Sequence, residues 1–90
     1  MIIVRVPTPL RPYTGYNKEV ELEAETVGKA LDDLINRYPA LKTHLCDEAG
    51  NLRPYINIFV NENDVRYLQH NATPLIEGDR LMILPSIAGG

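Results

Sequence analysis

Only one stretch of this 90-residue chain carries apolar residues at helical spacing, and strand-like segments lie on both sides of it. Val27, Ala30, Leu31, Leu34, Ile35 and Tyr38 recur three or four positions apart, which lines them along one face of an amphipathic helix. Lys29, Asp32, Asp33, Asn36 and Arg37 fall on the opposite, wet face. Thr26 stands where an N-cap oxygen is needed, and Pro39 disfavours helical angles at Tyr38. One helix can cover only one face of a sheet. The fold class this predicts is α+β, a mixed sheet of four or five strands with one main helix packed on one face.

The strands follow from period-2 patterning. Ile2 to Val6 is β-branched apart from Arg5, and Lys18 to Ala24 alternates strictly, with Val20, Leu22 and Ala24 inward and Glu19, Glu21 and Glu23 outward. These two segments should form a hairpin across a loop punctuated by Pro7, Pro9, Pro12 and Gly15. After the helix, Leu41 and Leu45 add a short turn, and Cys46 to Asn51 reads as a reversal. Tyr55 to Asn61 is a third strand with Ile56, Ile58 and Val60 inward. Asn61 to Asp64 turns tightly, Val65 to Leu68 is expected as a short edge strand, and His70 to Glu77 is a loop. Gly78-Asp79 turns into the last strand, Arg80 to Leu84, which Pro85 closes. The first and last strands are apolar enough to be central. The helix between them supplies the long crossover that parallel pairing requires. This layout is a β-grasp, with a domain over residues 1–84 and a C-terminal tail over residues 85–90.

The same parity leaves a surplus on the uncovered face. If Leu81 and Ile83 point into the core, Met82 and Leu84 point away, and Ile3 and Phe59 join them. Such a patch on a small domain is expected to be a partner surface. Beyond Leu84 the chain runs to Ala88-Gly89-Gly90. Glycines leave the last peptide bond and the Gly90 carboxylate unshielded, so this end can enter a narrow channel and present a carboxylate to another protein. A frayed terminus is the bland alternative, and composition by itself favours it.

Composition removes other functions. A net charge of −3 with no cluster of Lys or Arg argues against nucleic acid. No apolar run reaches membrane-spanning length, and the start lacks the features of a signal peptide, so the cytoplasm is expected. Cys46 is the single cysteine and cannot form an internal disulfide, a zinc site or an iron–sulfur cluster. Its neighbour His44 is weak grounds for a nucleophile, and no metal-ligand spacing or nucleotide-binding glycine motif is present. No catalytic residue and no bound cofactor or metal are expected.

The chain resembles the ubiquitin-like sulfur-carrier proteins of the MoaD/ThiS family. Asn57-Ile58-Phe59-Val60-Asn61 followed by Asp64, the turn Leu75-Ile76-Glu77-Gly78-Asp79-Arg80-Leu81, and the end Ile83-Leu84-Pro85-Ser86-Ile87-Ala88-Gly89-Gly90 carry the likeness. Leu10-Arg11-Pro12-Tyr13-Thr14-Gly15 and Ile83-Leu84-Pro85 look like the carriers that feed cysteine synthesis. The resemblance implies that an E1-like, MoeB/ThiF-type activating enzyme spends ATP to adenylate the Gly90 carboxylate. Sulfide or a persulfide sulfur then displaces AMP to leave a thiocarboxylate, which donates sulfur to a biosynthetic enzyme. It also implies that Ile87, Ala88, Gly89 and Gly90 enter the partner's active site, and that no maturation step is needed. Cysteine, molybdopterin and thiazole synthesis all stay open as destinations. A protein modifier conjugated through Gly90 and a docking subunit without covalent chemistry are the competing readings.

Overall fold

The computed structural model describes residues 1–85. Five strands form one sheet: β1 (Ile2–Arg5), β2 (Glu19–Leu22), β3 (Ile56–Val60), β4 (Asn63–Asp64) and β5 (Arg80–Pro85). Their spatial order is β2-β1-β5-β3-β4. β1 pairs antiparallel with β2 and parallel with β5, as the apolar character of the first and last strands predicts. β3 lies antiparallel to β5 on its other side, with Ile58 opposite Ile83 and Phe59 opposite Met82.

Helix α1 (Val27–Arg37) forms where the apolar stripe places it, and the Thr26 side chain accepts the Lys29 amide at its N-terminus. Tyr38 leaves helical angles ahead of Pro39, and a 3-10 turn, Pro39–Leu41, leads into one further turn of helix, α2 (Lys42–Leu45). Val27, Ala30, Leu31 and Leu34 are buried against Ile2, Val4, Val20, Leu22, Ile58, Leu81 and Ile83. Full burial of each large aliphatic side chain in this layer stabilises the fold by roughly 1.5–3 kcal/mol.

Several segments differ from the sequence expectation, among them His70–Ala72, a 3-10 turn within the stretch expected as a loop. Val65–Tyr67 is a 3-10 turn rather than an edge strand, because the Asp64 carboxylate caps it by accepting the Arg66 amide at 2.9 Å. The pairing strand is instead the two-residue β4, reached through positive φ angles at Asn61 and Glu62. The proline-rich loop is also a 3-10 helix, Thr8–Thr14, whose prolines supply preset φ angles and which ends at a left-handed Gly15. Its Leu10 and Thr14 are buried. β5 runs to Pro85, opposite Ile56 and one residue past the boundary placed at Leu84.

Candidate functional site

Alternation along β1, β3 and β5 sets Ile3, Phe59, Met82 and Leu84 on the face away from α1. Strand register makes neighbours of them. Phe59 lies directly across from Met82, Ile3 pairs with Arg80 one pleat along the same face, and Leu84 follows Met82 toward the end of β5. Leu84 is 40% exposed, whereas Ile3, Phe59 and Met82 are half-buried. Arg5, Glu19 and Arg80 line one shallow pocket together with Ile3 and Met82. Their aliphatic stems shield the apolar side chains while the charges stay in water. The patch is therefore less open than parity alone predicts, and its most exposed apolar residue is the one nearest the tail.

The strands below the patch are locked by a polar clasp. The buried Asp79 carboxylate accepts the Asn61 side-chain amide at 2.8 Å and the Ile76 backbone amide at 2.9 Å. The Asn61 side-chain Oδ1 in turn accepts the Arg80 amide at 3.0 Å, and the Asp79 backbone carbonyl accepts the Ile3 amide at 3.1 Å. One carboxylate and one carboxamide thus join the end of β3, the start of β5 and β1. Gly78, at φ +88°, makes the turn that aims Asp79 inward. The sequence motifs around Asn61 and Gly78-Asp79 have a structural explanation: they hold β5 in register as it runs toward the tail.

Arg5, Arg11 and Arg80 complete the surroundings of the patch. Strand parity already places Arg5 and Arg80 on this face. Arg11 carries no such signal, because its direction depends on the 3-10 turn, in which its Nε donates to the Val6 carbonyl at 3.1 Å. His44 stacks on Tyr13, with ring centroids 4.1 Å apart. Burial, followed by the negative Asp47 beside it, pushes the Cys46 thiol up, which disfavours the thiolate form. Among the described residues no group of His, Cys, Asp and Glu is placed to hold a metal, and no helix is long and apolar enough to cross a membrane. Ile87, Ala88, Gly89 and Gly90, the expected reacting end, lie outside the described residues.

The ThiS family matches residues 4–90. The chain belongs to the ThiS family. It is 40% identical to the sulfur carrier protein CysO of Mycobacterium tuberculosis, over 99% of this chain and 98% of that one. It superposes on a chain in the crystal structure of the Amycolatopsis orientalis BexX/CysO complex with a TM-score of 0.89 and 39% identity, covering 100% of both chains. It is also similar to the solution structure of small archaeal modifier protein 1 from Methanosarcina acetivorans. There the TM-score is 0.85 and the identity 35%, over 99% of this chain and 95% of that one. The ubiquitin-like β-grasp expected from the strand order is the fold of these neighbours.

Proposed function

We propose that this ThiS-family chain carries sulfur on its C-terminal carboxylate. The full-length match to a sulfur carrier protein is the observation that bears the reading. The fold supports it by directing a central strand, β5, toward the Gly-Gly end. A carboxylate is a poor electrophile, because its charge repels nucleophiles and oxide is a bad leaving group. Attack of the Gly90 carboxylate oxygen on the α-phosphorus of ATP expels pyrophosphate and forms an acyl-adenylate, with AMP as a good leaving group. A sulfide ion then adds to the carbonyl carbon, AMP departs, and a thiocarboxylate remains as the nucleophile passed to a biosynthetic enzyme. The chain supplies the reacting carboxylate and a docking face over Ile3, Phe59, Met82 and Leu84. An E1-like, MoeB/ThiF-type partner supplies ATP binding and the catalytic groups, so the carrier is a co-substrate rather than an enzyme. In this reading Ile87, Ala88, Gly89 and Gly90 enter the partner, and the absence of a side chain at Gly89 keeps the approach to the carbonyl open.

Intact-mass measurement tests this reading. After incubation with the activating enzyme of the same genome, ATP and sulfide, the chain should gain the mass difference of oxygen exchanged for sulfur at Gly90. Unchanged mass under those conditions overturns the proposal. The likeness to small archaeal modifier protein 1 supports a second reading, in which a lysine amine displaces AMP and an isopeptide forms. Branched peptides ending in Gly-Gly on lysine, found in digests of native lysate, would favour it.

A further inference from the structure

At the tail-proximal end of the uncovered face, a groove lies between the 3-10 helix Thr8–Thr14 and the end of β5. Arg5, Pro7, Thr8, Arg11, Met82 and Leu84 line it, and none of its lining residues is acidic. The geometry points to this groove as the seat for a carboxylate-bearing segment of the activating enzyme, at the rim of the channel that receives the tail. This inference rests on the carrier reading and adds the determinant by which one partner is selected.

The two guanidinium groups are placed for that role in different ways. Arg11 is half-buried, and its Nε bond to the Val6 carbonyl fixes the plane of the guanidinium while leaving its terminal nitrogens to a ligand. The turn that carries Arg11 is itself anchored by buried Leu10 and Thr14, and by Tyr13 stacked on His44. Little order therefore has to be gained on binding. Arg5 is exposed on β1, directly across from Glu19, but the Glu19 carboxylate lies 4.0 Å from Arg80. Among the described residues, neither Arg5 nor Arg11 has a carboxylate within ion-pair distance. A planar fork of donors, oriented in advance, suits a carboxylate better than a lysine would.

The protein as a whole carries a charge of −3, which disfavours an acidic partner at long range. Charges separated by more than about 8 Å are largely screened at physiological salt, so the local sign of the groove decides the contact. The reach from β5 to Gly90, the reacting residue in the carrier reading, sets what occupies it. The five residues after Pro85, ending with Gly90, can span at most about 17 Å when extended. With the tail extended into an active site, the groove meets protein side chains at the channel mouth and stands clear of the nucleotide at the reacting end. The Leu10-to-Gly15 segment, which the carboxylate chemistry leaves unexplained, thereby gains a role in holding Arg11.

Calorimetry without ATP tests the groove separately from the chemistry, with the activating enzyme of the same genome as the probe. Arg5→Glu/Arg11→Glu should weaken binding by on the order of tenfold or more, and wild-type affinity should fall with added salt more steeply than the variant's. Lys29→Glu makes the same change of charge per site on the wet face of α1 and should leave affinity unchanged. Arg5→Lys/Arg11→Lys should recover only part of the loss, because the charge is kept while the fixed fork of donors is not. If Arg11→Glu unfolds the turn, Arg5→Glu alone carries the test, since Arg5 is exposed. Wild-type affinity in the double variant, equal weakening by Lys29→Glu, or no binding by the wild-type chain each overturns the inference. Failure of the carrier reading shows elsewhere, as normal binding in calorimetry without any thiocarboxylate in the mass spectrum.

Discussion

The two faces of the sheet are built from alternate residues of the same strands, yet they answer to different demands. Under α1, Ile2, Val4, Leu81 and Ile83 are nearly or fully buried and pack against Leu31 and Leu34. One residue away along the same backbone, Ile3, Met82 and Leu84 stand among Arg5, Arg80 and Glu19, partly open to water. The strand residues of the inner face are aliphatic, because each side chain there gains by leaving water, and Tyr13 and Tyr38 pack at the margin of this core. The outer face mixes apolar groups with unburied charge, a composition that contributes little to folding alone and suits contact with a second protein. If the outer face is the docking surface proposed above, stability and recognition are separated by a single pleat rather than by distance.

Substitutions on opposite sides of that pleat should separate stability from binding. The largest effect on folding is expected from Leu34→Ala on the fully buried side of α1, a loss of about 2–5 kcal/mol in denaturant unfolding. A loss under 1 kcal/mol would mean the helix layer is not the main core. Asn61→Ala should come next, at roughly 1–3 kcal/mol, because it leaves the buried Asp79 carboxylate without one of its donors. Asn61→Asp, which sets two carboxylates against each other, should be worse; equal stability of both variants would remove the clasp from the account.

Asp64 gives a pH signature. The Arg66 guanidinium, bonded to it at 2.7 Å, holds its carboxyl below the usual carboxylate range. A carboxyl depressed in the folded state lends stability that is complete above its unfolded value of about 4 and is lost as pH falls through the folded value. Asp64→Asn should flatten that acid limb of a stability-against-pH curve and leave neutral-pH cooperativity intact. An unchanged acid limb would show that the pair is not linked to folding. The smallest effect on folding is expected from Leu84→Asp, within about 0.5 kcal/mol of wild type. The same substitution should weaken binding to the activating enzyme, and a large loss of stability would place Leu84 in the core instead.

Much of this architecture is legible in the residues. The 3.6-residue stripe from Val27 to Leu34 and the alternation at Val20 and Leu22 identify both helix and hairpin, because burial on one side leaves a period in the sequence. Parity along β5 likewise places Met82 and Leu84 outward. The reading fails where a single hydrogen bond outweighs a propensity. Val65-Arg66-Tyr67 has strand-like composition, but the Asp64 carboxylate takes the Arg66 amide and winds the segment into a 3-10 turn. The proline-rich stretch reads as a loop because proline marks turns, although the same fixed φ also suits a 3-10 helix.

Local pattern therefore determined α1 and the strands β1, β2, β3 and β5, the parallel pairing of β1 with β5 and the apolar parity of the outer face, since each depends on residues adjacent in the chain or on which side must be buried. Tertiary structure alone decided how open that face is. It also set the clasp between Asn61 and Asp79, and the meeting of Arg5 and Arg11 beside Leu84. Those features join groups far apart in sequence, and their geometry follows from strand order and backbone turns that leave no period to read.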